Sequence, residues 1–172
     1  YIWTVSRERR AGFHAGIPVA CSRLEPTDSC DRFVSMTPQR TLRRQTSCAG
    51  IGLHSGSKVT LSLKPASADS GIRFRRSDLG GLELPATVNH VCGLNYATGL
   101  AHEAVSVDTV EHLLAALVSL GIDNVVVELN SPEVPIMDGS AAPFIYLIQE
   151  AGIKELAASR RFVKVLQPLT LV

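Results

Sequence analysis

The sequence lacks several features that would place it in a class at once. No stretch approaches the roughly 18 consecutive apolar residues of a membrane-spanning helix, so no membrane span is predicted. No block of like charge occurs and the formal net charge is +1, which gives no argument for a nucleic acid or an anionic membrane surface as partner. With 45% hydrophobic and 19% charged residues, the 172-residue chain is predicted to be globular.

The cysteines also lack a pattern. Cys21, Cys30, Cys48 and Cys92 form no Cys-x-x-Cys pair and are irregularly spaced, so neither a disulfide framework nor a structural zinc knot is predicted. Unpaired thiols favour a reducing compartment, and a cytoplasmic location is therefore expected.

The first 35 residues have neither helical nor strand periodicity and no long apolar segment typical of a secretory signal. They contain four acidic residues among their arginines, which argues against an organellar transit peptide. We interpret residues 1–35 as an upstream extension, disordered or not native, with Met36 as the true start. A transit peptide is the weaker alternative.

Regular patterning begins after Met36. Residues 59–63 alternate apolar and polar side chains and predict a half-buried strand. Residues 72–75 alternate again and are expected to pair with that strand as a hairpin. Residues 82–88 predict an edge strand that Pro85 limits.

Two helices are predicted. The first runs from Thr109 to about Leu120, because apolar residues recur from Val110 at the helical spacing. Asp108 is its expected N-cap and Gly121 its expected stop. The second covers about residues 142–151.

Further strands are predicted at residues 125–129 and 162–165, so strands and helices alternate in the second half of the chain. This order predicts an α+β fold, a two-layer α/β sandwich with a mixed sheet and helices packed on one face.

Glu111 and His112 are adjacent at the start of the first predicted helix. Adjacent helical side chains diverge by about 100°, but at a helix N-terminus both can border one cavity. A neutral imidazole is a good zinc ligand, and a nearby carboxylate can act as a general base. The alternative is structural: Glu111 would complete a capping box with Asp108, and His112 would be a hydrogen-bonded histidine near the core.

Two other segments have distinctive composition. Residues 50–56 place three glycines around His54, which predicts a tight turn, with a phosphate-binding loop as the alternative. Residues 135–144 predict a turn leading into a helix, in which Asp138 is structural and Met137 belongs to the core.

Several segments together, in order, resemble the zinc-dependent UDP-3-O-acyl-N-acetylglucosamine deacetylases. The resemblance covers about residues 36–172 and rests on segments 36–42, 52–56, 72–79, 109–113, 121–124 and 133–141.

The resemblance implies a hydrolase of lipid A biosynthesis that removes the N-acetyl group of a UDP-linked, 3-O-acylated glucosamine and releases acetate. In that family Zn²⁺ polarises the carbonyl and activates water. Residue by residue, His112 matches a zinc ligand and Glu111 matches the general base. The loop at residues 94–100 is expected to border the site, with Thr98 as a candidate substrate-binding residue.

The resemblance also implies that residues 36–165 form the N-terminal of two similar domains, with residues 166–172 beginning the linker or second domain. The family's other two zinc ligands lie in a His-x-x-x-Asp motif of the second domain, and no histidine follows His112 here. We therefore expect the missing C-terminal domain to pack on this one and the chain alone to be inactive. The alternative is a stand-alone, non-catalytic domain that binds a UDP-sugar or a complementary half.

Overall fold

A computed structural model describes residues 37–93 and 96–162. The predicted upstream extension at residues 1–35 and the linker at residues 166–172 lie outside the described residues. The predicted strand at residues 162–165 does too, except for Phe162, which belongs to no strand.

A five-stranded mixed sheet forms one layer of the fold. Its strands are β2 (Thr46–Ile51), β3 (Lys58–Pro65), β4 (Ile72–Arg76), β5 (Leu82–Pro85) and β9 (Val125–Leu129). Their order across the sheet is β2-β3-β9-β4-β5, and only the β4–β9 pair is parallel. The predicted edge strand is thus confirmed, and it ends at Pro85.

The expected hairpin between residues 59–63 and 72–75 is wrong. β9 lies between β3 and β4, pairing antiparallel with the first and parallel with the second. β9 buries Val125, Val127 and Leu129 almost completely, so this most apolar strand occupies the centre of the sheet.

Two helices in the described part of the chain form the second layer. They are α1 (Glu111–Ser119) and α2 (Ala142–Ala151). Their apolar faces share one core with the inward-facing side chains of the sheet. The other face of the sheet carries the polar side chains that alternate with the buried ones along each strand. Among them, Lys64 and Glu128 form an ion pair at 2.6 Å. The predicted two-layer α+β sandwich is confirmed.

Two smaller sheets complete the structure. β1 (Pro38–Leu42) pairs antiparallel with β10 (Ile153–Ser159), so the two ends of the described chain meet. The third sheet has the order β6-β7-β8, from β6 (Val91–Cys92), β7 (Gly99–His102) and β8 (Val105–Val107). This third sheet leads directly into the segment that precedes α1. Among the described helices, neither has the length and apolar character that crossing a membrane requires.

Candidate active site

The chain turns sharply just before α1. Thr109 has a φ of 59°, so it lies in the left-handed region and does not continue the helix. α1 begins at Glu111, two residues later than predicted, and no side chain caps its start. The predicted Asp108 cap and the capping box with Glu111 are therefore wrong.

The backbone of Asp108 is engaged elsewhere. Its N–H donates to the carbonyl of Pro132 at 2.7 Å, and its carbonyl accepts the N–H of Val134 at 3.0 Å. This short parallel bridge pairs Asp108 with Glu133. The bridge, rather than a cap, fixes where the helix begins.

Glu111 lies exposed at the start of α1, next to Thr98, the residue that precedes β7. Its carboxylate oxygen Oε1 accepts the backbone N–H of Thr98. The Thr98 carbonyl in turn accepts the N–H of Val110 at 3.3 Å. The structure thus brings together Glu111 and Thr98, two of the candidate site residues.

His112 is buried beside Glu111. Its Nε2 donates to the carbonyl oxygen of Pro135 at 3.0 Å, and its ring meets the ring of Phe144 edge-on, with centroids 5.1 Å apart. Because a carbonyl oxygen only accepts, the proton of the neutral ring lies on Nε2 and Nδ1 keeps its lone pair. Among the described residues, the ring makes one hydrogen bond, the one from Nε2.

A cavity of about 410 Å³ adjoins this segment. The residues around it come from four separate parts of the chain, namely His54, Ser55, Gly93, Ala97, Asp108, Pro132 and Glu133. The turn predicted at residues 50–56 is present over residues 52–56, because β2 continues to Ile51. A hydrogen bond of 3.0 Å from the Gly56 N–H to the Gly52 carbonyl closes it. The turn places His54 at the cavity.

The pKa values of two carboxyls at the cavity are shifted in opposite directions. Burial raises the pKa of Asp108, and the negative charge of Glu133 raises it further. Burial alone would also raise the pKa of Glu133, but hydrogen bonds from the His54 N–H, from Ser55 and from the Thr109 hydroxyl outweigh it and lower that pKa to about 2. Glu133 is therefore ionised at neutral pH although it is almost fully buried.

Glu133 lies in the segment at residues 133–141, but no role is predicted for it from the sequence. Neither periodicity nor spacing marks it, since its partners lie 24 to 79 positions earlier in the chain. The Ser-Pro-Glu-Val-Pro context was the only local signal, because an acidic residue between two prolines is held in irregular backbone.

The described residues contain no cluster of three or more His, Cys, Asp or Glu side chains that would hold a metal ion. His112 by itself has the arrangement of a metal-binding histidine, in which one ring nitrogen donates to a backbone carbonyl and the other remains free. A catalytic zinc site uses three protein ligands. The described chain therefore fits one ligand of such a site and not the whole of it.

The family model and the relatives that match this chain are all described as deacetylases. A family model described as UDP-3-O-acyl N-acetylglycosamine deacetylase matches residues 39–172. The UDP-3-O-acyl-N-acetylglucosamine deacetylase of Legionella pneumophila (strain Corby) is 50% identical over 135 residues, which are 78% of this chain and 44% of the relative. The enzyme of that name from Pseudomonas entomophila is 52% identical over 136 residues, 78% of this chain and 45% of the relative. The chain thus spans less than half the length of these relatives.

Proposed function

The chain belongs to the UDP-3-O-acyl N-acetylglycosamine deacetylase family, and from this we propose that it takes part in zinc-dependent hydrolysis of the N-acetyl group of UDP-3-O-acyl-N-acetylglucosamine. Residues 36–165 would be the N-terminal domain of a two-domain enzyme of lipid A biosynthesis. The observation that carries the proposal is the placement of Glu111 and His112 side by side at the start of α1. The Glu111 carboxylate contacts Thr98, and Asp108, three residues earlier, lines the cavity.

In this proposal Glu111 is the general base. Its carboxylate is exposed and held by one backbone donor, the Thr98 N–H, so its second oxygen remains free to accept a proton from water. A backbone donor fixes the direction of the carboxylate without neutralising its charge. Thr98 would then lie where the substrate meets the base, which supports its assignment as a substrate-binding residue.

His112 is proposed as one ligand of Zn²⁺. The hydrogen bond from Nε2 to Pro135 and the contact with Phe144 fix the ring, which leaves Nδ1 as the nitrogen that would bind the metal. The remaining ligands would come from outside the described residues. We therefore assign zinc binding to the complete enzyme rather than to this chain alone.

The proposed partners are the UDP-sugar substrate and a C-terminal domain that packs on this one and completes the site. A cytoplasmic location is proposed with it, and the free thiols of Cys48 and Cys92 suit a reducing compartment.

The test compares the 172-residue chain with a chimera in which residues 39–172 replace the matched segment of the Legionella pneumophila relative. Acetate release from UDP-3-O-acyl-N-acetylglucosamine is measured for both. We expect a zinc-dependent reaction from the chimera and none from the chain alone. An inactive chimera that folds and binds zinc would contradict the proposal. In that event, binding of the UDP-sugar by the chain alone would support the non-catalytic alternative.

A further inference from the structure

Glu133 is a buried carboxylate that the proposed reaction does not use. Its side chain is only 2% exposed, and it lies in the irregular segment between β9 and α2. A buried charge is retained only where several donors stabilise it. The identity of those donors therefore indicates what the residue does.

The donors come from two separate motifs. Glu133 Oε1 accepts the N–H of His54 at 2.9 Å and the hydroxyl of Thr109 at 3.0 Å, while Oε2 accepts the N–H of Ser55 at 2.8 Å. One carboxylate thus joins the glycine-rich turn at the cavity to the residue that precedes α1.

The turn is shaped to receive this carboxylate. A Cβ atom at Gly52 would lie 2.3 Å from Glu133 Oε2, far inside contact distance. Only glycine permits so close an approach of the backbone.

Thr109 is the second point of attachment, and its backbone is strained. A buried, β-branched residue rarely adopts a φ of 59°, and such residues persist only where the surroundings hold them. Its hydroxyl is held by Glu133. The chain direction set at Thr109 determines where Glu111 and His112 lie, because they follow it by two and three residues.

The segment that carries Glu133 also orients His112. The backbone of Glu133 bridges Asp108, and the carbonyl of Pro135, two residues further on, accepts the His112 Nε2 proton. Movement of Glu133 would therefore be transmitted to both ends of the Thr-Val-Glu-His segment.

We propose that Glu133 is a positioning residue, whose carboxylate locks the His54–Ser55 turn to Thr109 and thereby fixes the directions of Glu111 and His112. The proposal deepens the proposed function and rests on it for the meaning of those two residues. The structural linkage itself does not depend on the reaction.

The first test uses nuclear magnetic resonance on the 172-residue chain and its Glu133→Gln variant. The readouts are the Thr98 amide proton, which reports the Glu111 carboxylate, and the ring nitrogens of His112. Neither group touches Glu133. We expect both to shift in Glu133→Gln, and to remain unchanged in Glu128→Gln, which removes a carboxylate on the outer face of the sheet.

Loss of stability with unchanged Thr98 and His112 signals would make Glu133 merely structural and overturn the proposal. If Glu133→Gln does not fold, Thr109→Gly serves instead. It removes the hydroxyl contact while tolerating the positive φ, and the same two signals are expected to shift. Thr109→Ser keeps the hydroxyl and should restore them.

The second test separates this proposal from the proposed function. In the active chimera, Glu133→Gln should lower kcat on the order of 100-fold with KM little changed, because a small misplacement of catalytic groups has that effect. Unchanged kcat would overturn the positioning role. An inactive parent chimera would count against the proposed function alone, since the resonance shifts would still test the linkage.

Discussion

Acidification is predicted to break the hydrogen bonds that the Glu133 carboxylate accepts from His54, Ser55 and Thr109. The carboxyl has its pKa lowered from an ordinary value of 4.5 to about 2, so the folded state holds its ionised form more tightly than the unfolded state does. The stabilisation is therefore fully present above pH 4.5 and is lost as the pH falls towards about 2. At about 1.4 kcal/mol for each tenfold change in proton affinity, the contribution is on the order of 3 kcal/mol.

The wild-type curve alone does not isolate this contribution. Hydrogen bonds from side-chain or backbone donors also lower the pKa values of more exposed carboxyls, namely Asp69, Asp78, Glu83, Glu128 and Asp138. These groups lose stabilisation in the same direction, although solvent screening makes each of them worth less. Asp108, which faces Glu133, has a raised pKa and acts in the opposite direction.

The assay is therefore a difference measurement. Urea unfolding of the wild type and of Glu133→Gln is followed between pH 7 and pH 2, and the two free energies of unfolding are subtracted at each pH. We expect the wild type to exceed the variant by on the order of 3 kcal/mol at neutral pH, with the difference shrinking below pH 4.5. A difference that does not depend on pH would mean that hydrogen bonds do not hold the Glu133 carboxyl in its ionised form, contrary to this prediction.

Two further predictions concern packing around the site. Gly52→Ala should destabilise the fold by about 1–3 kcal/mol through overlap with Glu133 Oε2 and Ser55 Oγ, each 2.3 Å from the added Cβ. In a double-mutant cycle with Glu133→Ala, measured by urea unfolding, the two effects should be clearly less than additive, and strict additivity would contradict the close contact. Phe144→Ala should lower the free energy of unfolding by about 3–5 kcal/mol, because this ring is fully buried against His112. Tyr146→Ala on the same helix is the control, since that side chain is 64% exposed and its loss should change stability by no more than about 0.5 kcal/mol. Similar losses at both positions would show that the burial of α2 is misassigned.

Local patterns predicted those parts of the fold that depend on neighbouring residues. The limits of α2, the alternation of β3 and the end of β5 at Pro85 all follow from spacing, proline and glycine positions. Gly121 ends the α1 region as predicted, with a φ of 66°.

Features set by distant residues were not predictable in this way. The insertion of β9 between β3 and β4 joins strands about 60 residues apart, and no local signal encodes it. The late start of α1 depends on the pairing of Asp108 with Glu133 across 25 positions. A capping pattern in the local sequence cannot indicate that Asp108 pairs with Glu133 instead.

The residues of the candidate site show the same contrast between local and long-range features. Glu111 and His112 were found because their residue types are adjacent and match a family motif. Glu133 acts through atoms of His54, Ser55 and Thr109, and its role became visible only when the fold brought those residues together.

Glu111 is proposed as the general base of a deacetylase site that this chain helps to form. The most direct measurement is acetate release by the chimera carrying Glu111→Gln, with Glu150→Gln, an exposed carboxylate near the end of α2, as the control. We expect kcat to fall by roughly 100- to 10,000-fold in Glu111→Gln, with zinc content unchanged, and to stay unaltered in the control. Full activity of Glu111→Gln would mean that Glu111 is not the general base.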